Sequence, residues 1–161
     1  KIESITDIAS EIKRLGALTH TQQKATQLSN DFLNELSQLR NKYDKAPLIP
    51  VFYYSWTAPL MTIGPDAWGN QLLNVCGAET LFADSPVDYP QVAVKDVLTR
   101  QPHALVAASK SSYSELEVFW RDHRVFLKAP LIVVDPDVTS RFSLRLINEL
   151  KVLCKGIKEG A

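Results

Sequence analysis

The sequence predicts an α/β fold: a three-layer lobe with a mainly parallel sheet flanked by helices, preceded by a long helix. Three observations predict it. From Pro50 onward, short β-branched or aliphatic runs alternate with helical patterns, as in a layered α/β unit with right-handed crossovers. Leu131 to Val134 is a continuous apolar run, the mark of a strand covered on both faces. Residues 1–46 carry only helical periodicity, so the chain divides into a helical segment, 1–46, and an α/β lobe, 47–161.

Ile2, Ile5, Ile8, Ile12 and Leu15 recur at spacings of three and four, and Gly16 suits the stop of a first helix. Ser4 with Asp7 is a weak start signal. Ala25, Leu28, Phe32, Leu36, Leu39 and Tyr43 then keep one face through a long second helix, with Thr21 as N-cap and Pro47 barring continuation. Such a helix is either a strut or a long element packed on the core. Val51 to Tyr54 reads as a buried strand. Ser55 to Gly64 reads as an irregular loop, because Pro59, Gly64 and Pro65 interrupt it.

A helix near Pro65 or Asp66 follows, with Trp68, Leu72 and Val75 inward and Gly77 as its left-handed end. Ala78 to Pro90 reads as a connection holding Tyr89. Val94, Val97 and Leu98 mark a short helix before Pro102, and Ala104 to Ala108 is a strand. Ser114 with Glu117 forms a capping-box pattern ahead of Leu116, Phe119 and Trp120. A last helix from near Ser140 carries Leu146, Ile147, Leu150, Leu153 and Cys154 inward.

Lys and Arg number 18, as do Asp and Glu, so the formal charge is zero. Nucleic acid is therefore a poor partner, since its binding needs an excess of cations. No apolar run approaches the length of a membrane span. The chain has no initiator Met and no signal peptide, and reads as a mature chain or a fragment. Cys76 and Cys154 are either two buried thiols or a disulfide.

Ligands of open α/β sheets bind at the carboxyl ends of the strands. Those ends are Ser55 to Met61, Ser109 to Tyr113, and Asp135 to Arg141. A loop carrying Trp56, Leu60, Met61 and Ile63 needs a cover, either neighbouring structure or a ligand. Asp137 and Arg141 add fixed polar groups, with a helix N-cap and a surface charge as their plainer readings. No GxSxG, HExxH, Walker A or GxGxxG motif is present, and His20, His103 and His123 are scattered. A binding protein, not an enzyme, is the expectation. An enzyme using Asp135 or Asp137 is the reading from another class.

The stretches PVFYYSWTAPLMTIG, NQLLNVCGAETLFAD, YPQVAVKDVLTRQPHALV and DVTSRFSLRLINELKVLC resemble BtuF-type proteins. These are periplasmic cobalamin-binding subunits of ABC importers, within the helical-hinge substrate-binding superfamily. The resemblance implies two α/β lobes joined by one long helix, of which this chain looks like the helix and the C-terminal lobe. It implies a disulfide between Cys76 and Cys154. It also implies a periplasmic monomer that captures cobalamin, needs no cofactor of its own, and delivers the vitamin to ABC permease subunits.

Residue by residue, the family's first loop aromatic falls on Ser55, with Trp56 beside it, and a second falls on Met61. The family Trp before PQV falls on Tyr89, and its Asp and Arg fall on Asp137 and Arg141. The family's docking acid falls on Lys95, with Asp96 next to it. Haem or a ferric siderophore is the alternative ligand, with Tyr54, Tyr89 and Tyr113 as candidate axial groups for haem. With half the cleft absent, this chain alone is expected to bind weakly.

Overall fold

The computed structural model describes residues 2–44, 47–140 and 143–160. Two helices come first, α1 (Asp7–Leu18) and α2 (Gln22–Lys42). The lobe then runs β1 (Ile49–Thr57), β2 (Leu60–Thr62), α3 (Trp68–Val75), β3 (Ala78–Thr80), α4 (Val94–Arg100) and β4 (Ala104–Ala108). It closes with α5 (Tyr113–Trp120), a 3-10 turn (Arg121–His123), β5 (Leu131–Val134), α6 (Pro136–Thr139) and α7 (Leu146–Gly160).

The sheet order is β2-β1-β4-β5, with β3 paired to β1. Pairing is parallel for β1 with β3 and β4, and for β4 with β5; only β1 with β2 is antiparallel. Side-chain alternation then builds two cores. Val51, Tyr53, Val106 and Val134 face one way, under α1, α2, α3 and α7. Phe52, Tyr54, Leu105 and Leu131 face the other, with Phe82, Val97, Trp120 and Leu127. The expected three layers are present.

The Cys76–Cys154 disulfide joins the end of α3 to α7 across a separation of 78 residues, on the first of these faces. Gly77 takes the left-handed conformation, with φ 69°, just past α3.

Several local expectations are corrected. Gly16 does not stop α1, which runs on to Leu18. Gly16 is instead the contact with α2, where a Cβ would come within 2.2 Å of the Ala25 Cβ. The Ser29 hydroxyl, buried on α2, donates to the Ala9 carbonyl at 2.9 Å. The capping box of α5 is Ser112 with Glu115, not Ser114 with Glu117. The S-x-x-E spacing occurs twice, and Glu117 is taken by the guanidinium of Arg124. The last helix begins at Leu146, because Asp135 and Pro136 start the short α6 first.

The segment Ser55 to Gly64 is no irregular loop. β1 continues to Thr57, turns through a cis Ala58–Pro59 peptide, and returns as β2. Pro59 sits in the turn and not in the ladder, so it removes no strand hydrogen bond.

Candidate functional site

A second chain segment fixes the outer side of this hairpin. The Thr62 N–H donates to the Pro90 carbonyl at 3.0 Å, the Gly64 N–H to Asp88 at 2.7 Å, and the Val92 N–H to Leu60 at 3.0 Å. Met61 and Gln91 form an isolated antiparallel bridge. The approach at Gly64 is close enough that a Cβ would meet the Val87 carbonyl oxygen at 2.1 Å. This laces Tyr89, far along the chain, to the edge of β2.

The result is a cavity of about 260 Å³ at the carboxyl end of β1. Ser55, Met61 and Tyr89 line it together with Tyr53, Trp68 and Thr139. Trp56 is not in the lining. It is the register partner of Met61, on the same side of the hairpin, and is 68% exposed. Tyr89 is 60% exposed, so cavity and rim offer an uncovered aromatic and thioether surface.

The far wall is α6. The Trp68 indole N–H donates to the Thr139 carbonyl at 2.7 Å, and the Thr139 hydroxyl donates to the Asp135 carbonyl at 3.0 Å. Burial pushes the Tyr53 phenol up, with a hydrogen bond to Thr139 pulling the other way. The Tyr54 hydroxyl is committed to the opposite core, where it accepts the Trp120 indole N–H at 2.9 Å.

Asp137 lies on the first turn of α6, exposed. It is not the N-cap: Asp135 is, accepting the Asp137 N–H at 2.9 Å. Lys110 Nζ lies 2.8 Å from Asp135 and 3.0 Å from Asp137. The hydrogen bond from Lys110 holds the Asp135 carboxyl below its ordinary range, and the same contacts hold the Lys110 ammonium above its own. Arg141 lies outside the described residues.

Lys95 and Asp96 are exposed on α4, away from the cavity lining. The Asp96 carboxylate accepts the Ala93 N–H at 3.2 Å and so caps its own helix. Tyr113 lies in a separate groove with Glu117 and Arg124.

Tyr53, Thr139 and Lys110 are not among the site residues the sequence singles out. Lys110 had a usable signal, since it sits in the loop after β4, at a strand's carboxyl end. The helical pattern places Trp68 only as an inward helix residue, although a half-buried indole N–H needs an acceptor.

A larger hollow, about 670 Å³, lies between α2 and α7 with Lys42, Lys151, Lys155 and Lys158 around Tyr43. Lys42 and Lys158 lie in the last turns of α2 and α7, where cations complement the helix dipole, and Lys151 is paired with Glu35. The smaller cavity at the strand ends is the better site, because fixed and varied side chains converge there.

The family model described as "Periplasmic binding protein" matches residues 3–127. The chain belongs to the periplasmic binding protein family. Among curated relatives of this periplasmic binding protein, the vitamin B12-binding protein of Salmonella choleraesuis (strain SC-B67) is 34% identical over 157 residues, covering 97% of this chain and 58% of that protein. The vitamin B12-binding protein of Pectobacterium carotovorum subsp. carotovorum (strain PC1) is 31% identical over 155 residues, with 94% and 55% covered. The chain thus spans less than two thirds of the length of these relatives.

The crystal structure of the periplasmic vitamin B12 binding protein BtuF of Vibrio cholerae superposes with a TM-score of 0.80 at 26% identity, covering 99% of this chain and 64% of that one. A periplasmic heme binding protein from Pseudomonas aeruginosa gives the same TM-score at 20% identity, covering 99% and 62%, a likeness of fold alone. No helix among the described residues is long and apolar enough to cross a membrane.

Proposed function

We propose that this chain is part of a periplasmic substrate-binding subunit of an ABC importer, and that it forms one wall of a cobalamin cleft. In this reading α2 is the strut to a second lobe. The protein performs no chemistry; it captures the vitamin reversibly and hands it to permease subunits. Trp56, Met61 and Tyr89 meet the corrin surface, and Ser55 leaves room beside them. Asp137 and Arg141 hydrogen-bond the corrin's amide arms. Asp96, with Lys95 beside it, meets the permease.

The observation that carries this reading is the meeting of Ser55, Met61 and Tyr89 around one cavity, in a chain 34% identical to a vitamin B12-binding protein over 97% of its length. A haem reading is favoured by one feature, the exposed Tyr89 phenol at the rim. It is weakened by Tyr54, whose hydroxyl is committed to Trp120, and by Tyr113, which lines another groove.

Titration of the full-length protein that carries this chain with cyanocobalamin, haemin and a ferric siderophore tests the reading. Saturable binding of cyanocobalamin, weakened by Met61→Asp or Tyr89→Ala, is expected. A protein that holds haemin and ignores cyanocobalamin would overturn it.

A further inference from the structure

α6, whose Thr139 lines the cavity, gathers acids around its start, outside that lining. Asp135 and Asp137 are two residues apart, and Glu149 from α7 accepts the Asp135 N–H at 2.8 Å. A single cation touches this group among the described residues. The Ser109 N–H donates to the Val134 carbonyl at 3.2 Å, which keeps the loop after β4 against the end of β5. From that loop Lys110 reaches one oxygen of each aspartate, Asp135 Oδ1 at 2.8 Å and Asp137 Oδ2 at 3.0 Å. Arg145 acts on Asp135 only from beyond ion-pair distance.

Asp135 Oδ1 is therefore shared between Lys110 and the Asp137 N–H that starts α6. Lys110 engages Asp137 through Oδ2, which leaves Oδ1 as an acceptor.

We propose that Lys110 is a positioning and specificity-determining residue of the cleft, fixing the Asp137 carboxylate and offsetting the acidic corner so that a ligand arm is judged by its hydrogen bonds and not by bare charge. This rests on the cobalamin reading above. With Lys110 in place, Asp137 presents one oriented oxygen to an amide N–H of the ligand. Without it, Asp137 is free to rotate and the corner gains a net negative charge. A neutral amide arm then binds less well for lack of orientation. A carboxylate arm is rejected more strongly, because the cation that touches both aspartates is gone and like charges meet less well screened.

The test uses the full-length protein that carries this chain, with Lys110→Met and Lys110→Arg variants. The probes are cyanocobalamin and a cyanocobalamin monocarboxylic acid, in which one corrin side-chain amide is hydrolysed. Lys110→Met is expected to weaken cyanocobalamin binding by about threefold to fivefold, the scale of a partly exposed ion pair. It should also increase the preference for cyanocobalamin over the acid by about the same factor. That added preference should shrink at high salt, and Lys110→Arg should restore both values.

An equal loss for both probes that salt does not change would mark a merely structural role and overturn the proposal. So would an unchanged preference. Wild-type protein that binds neither corrinoid overturns the functional reading itself, whereas wild-type binding with an indifferent Lys110→Met overturns only the role of Lys110.

Discussion

Trp68 and Thr139 are 71 residues apart, and the indole of the first donates to the backbone carbonyl of the second at 2.7 Å. This bond fastens the end of α6 to the start of α3, across the cavity from Met61 and Tyr89. Trp68→Phe keeps a ring in place and deletes the donor. The expected cost is about 1 kcal/mol in urea unfolding, the net worth of one hydrogen bond. Cyanocobalamin should also dissociate faster, because the wall bearing Asp137 is no longer anchored. Unaltered stability would show that this bond does not hold α6.

Gly64 controls the other wall. Any Cβ there collides with the Val87 carbonyl oxygen, a backbone atom with no rotamer to retreat into. Gly64→Ala should break the bond to Asp88 and push the segment holding Tyr89 outward. A loss of about 1–3 kcal/mol is expected, with weaker ligand binding, read by thermal unfolding and titration on the same preparation. Tyr89→Ala should weaken binding without the stability loss, which separates the wall from its support.

Tyr54 tests the division of labour between adjacent tyrosines on β1. Tyr54→Phe leaves the Trp120 indole N–H buried without its acceptor. A destabilisation of about 1–3 kcal/mol is expected in denaturant unfolding. Affinity for cyanocobalamin, or for haemin if that is the ligand, should stay within error of wild type. A large change in affinity would mean that the Tyr54 hydroxyl leaves Trp120 to serve the ligand.

The disulfide closes a long loop between α3 and α7. Unreduced protein should show no reactive thiol, and the double variant Cys76→Ala with Cys154→Ala should lose about 2–5 kcal/mol. Because neither cysteine lines the cavity, ligand affinity of the folded fraction should be little changed. Two titratable thiols in unreduced protein would contradict the bridge.

Residues that act through local rules were legible in the sequence. The stripe from Ala25 to Leu39 produced α2, the apolar runs produced β4 and β5, and Gly77 ended α3 as a left-handed residue does. The carboxyl-end rule pointed to Ser55 through Met61, and Ser55 and Met61 do line the cavity. Cys76 with Cys154 followed from family resemblance, because nothing local to either cysteine selects its partner.

The hairpin is not legible in the sequence, because Pro59 reads as a breaker and the segment that pairs beside β2 lies some 30 residues on. The α5 cap was misplaced because two S-x-x-E patterns overlap and only Arg124, brought in by the tertiary fold, decides between them.

The sequence by itself determined the long helices, the strands β4 and β5 with the start of β1, and which end of the sheet is available for a ligand, since these follow from periodicity and chain direction. Only the tertiary structure decided that Tyr89 stands beside Met61, that Trp68 holds Thr139, and that Lys110 bridges Asp135 and Asp137. Those are contacts between residues tens of positions apart. A side chain's partner at that range is set by how the layers pack, and no pattern within one segment encodes it.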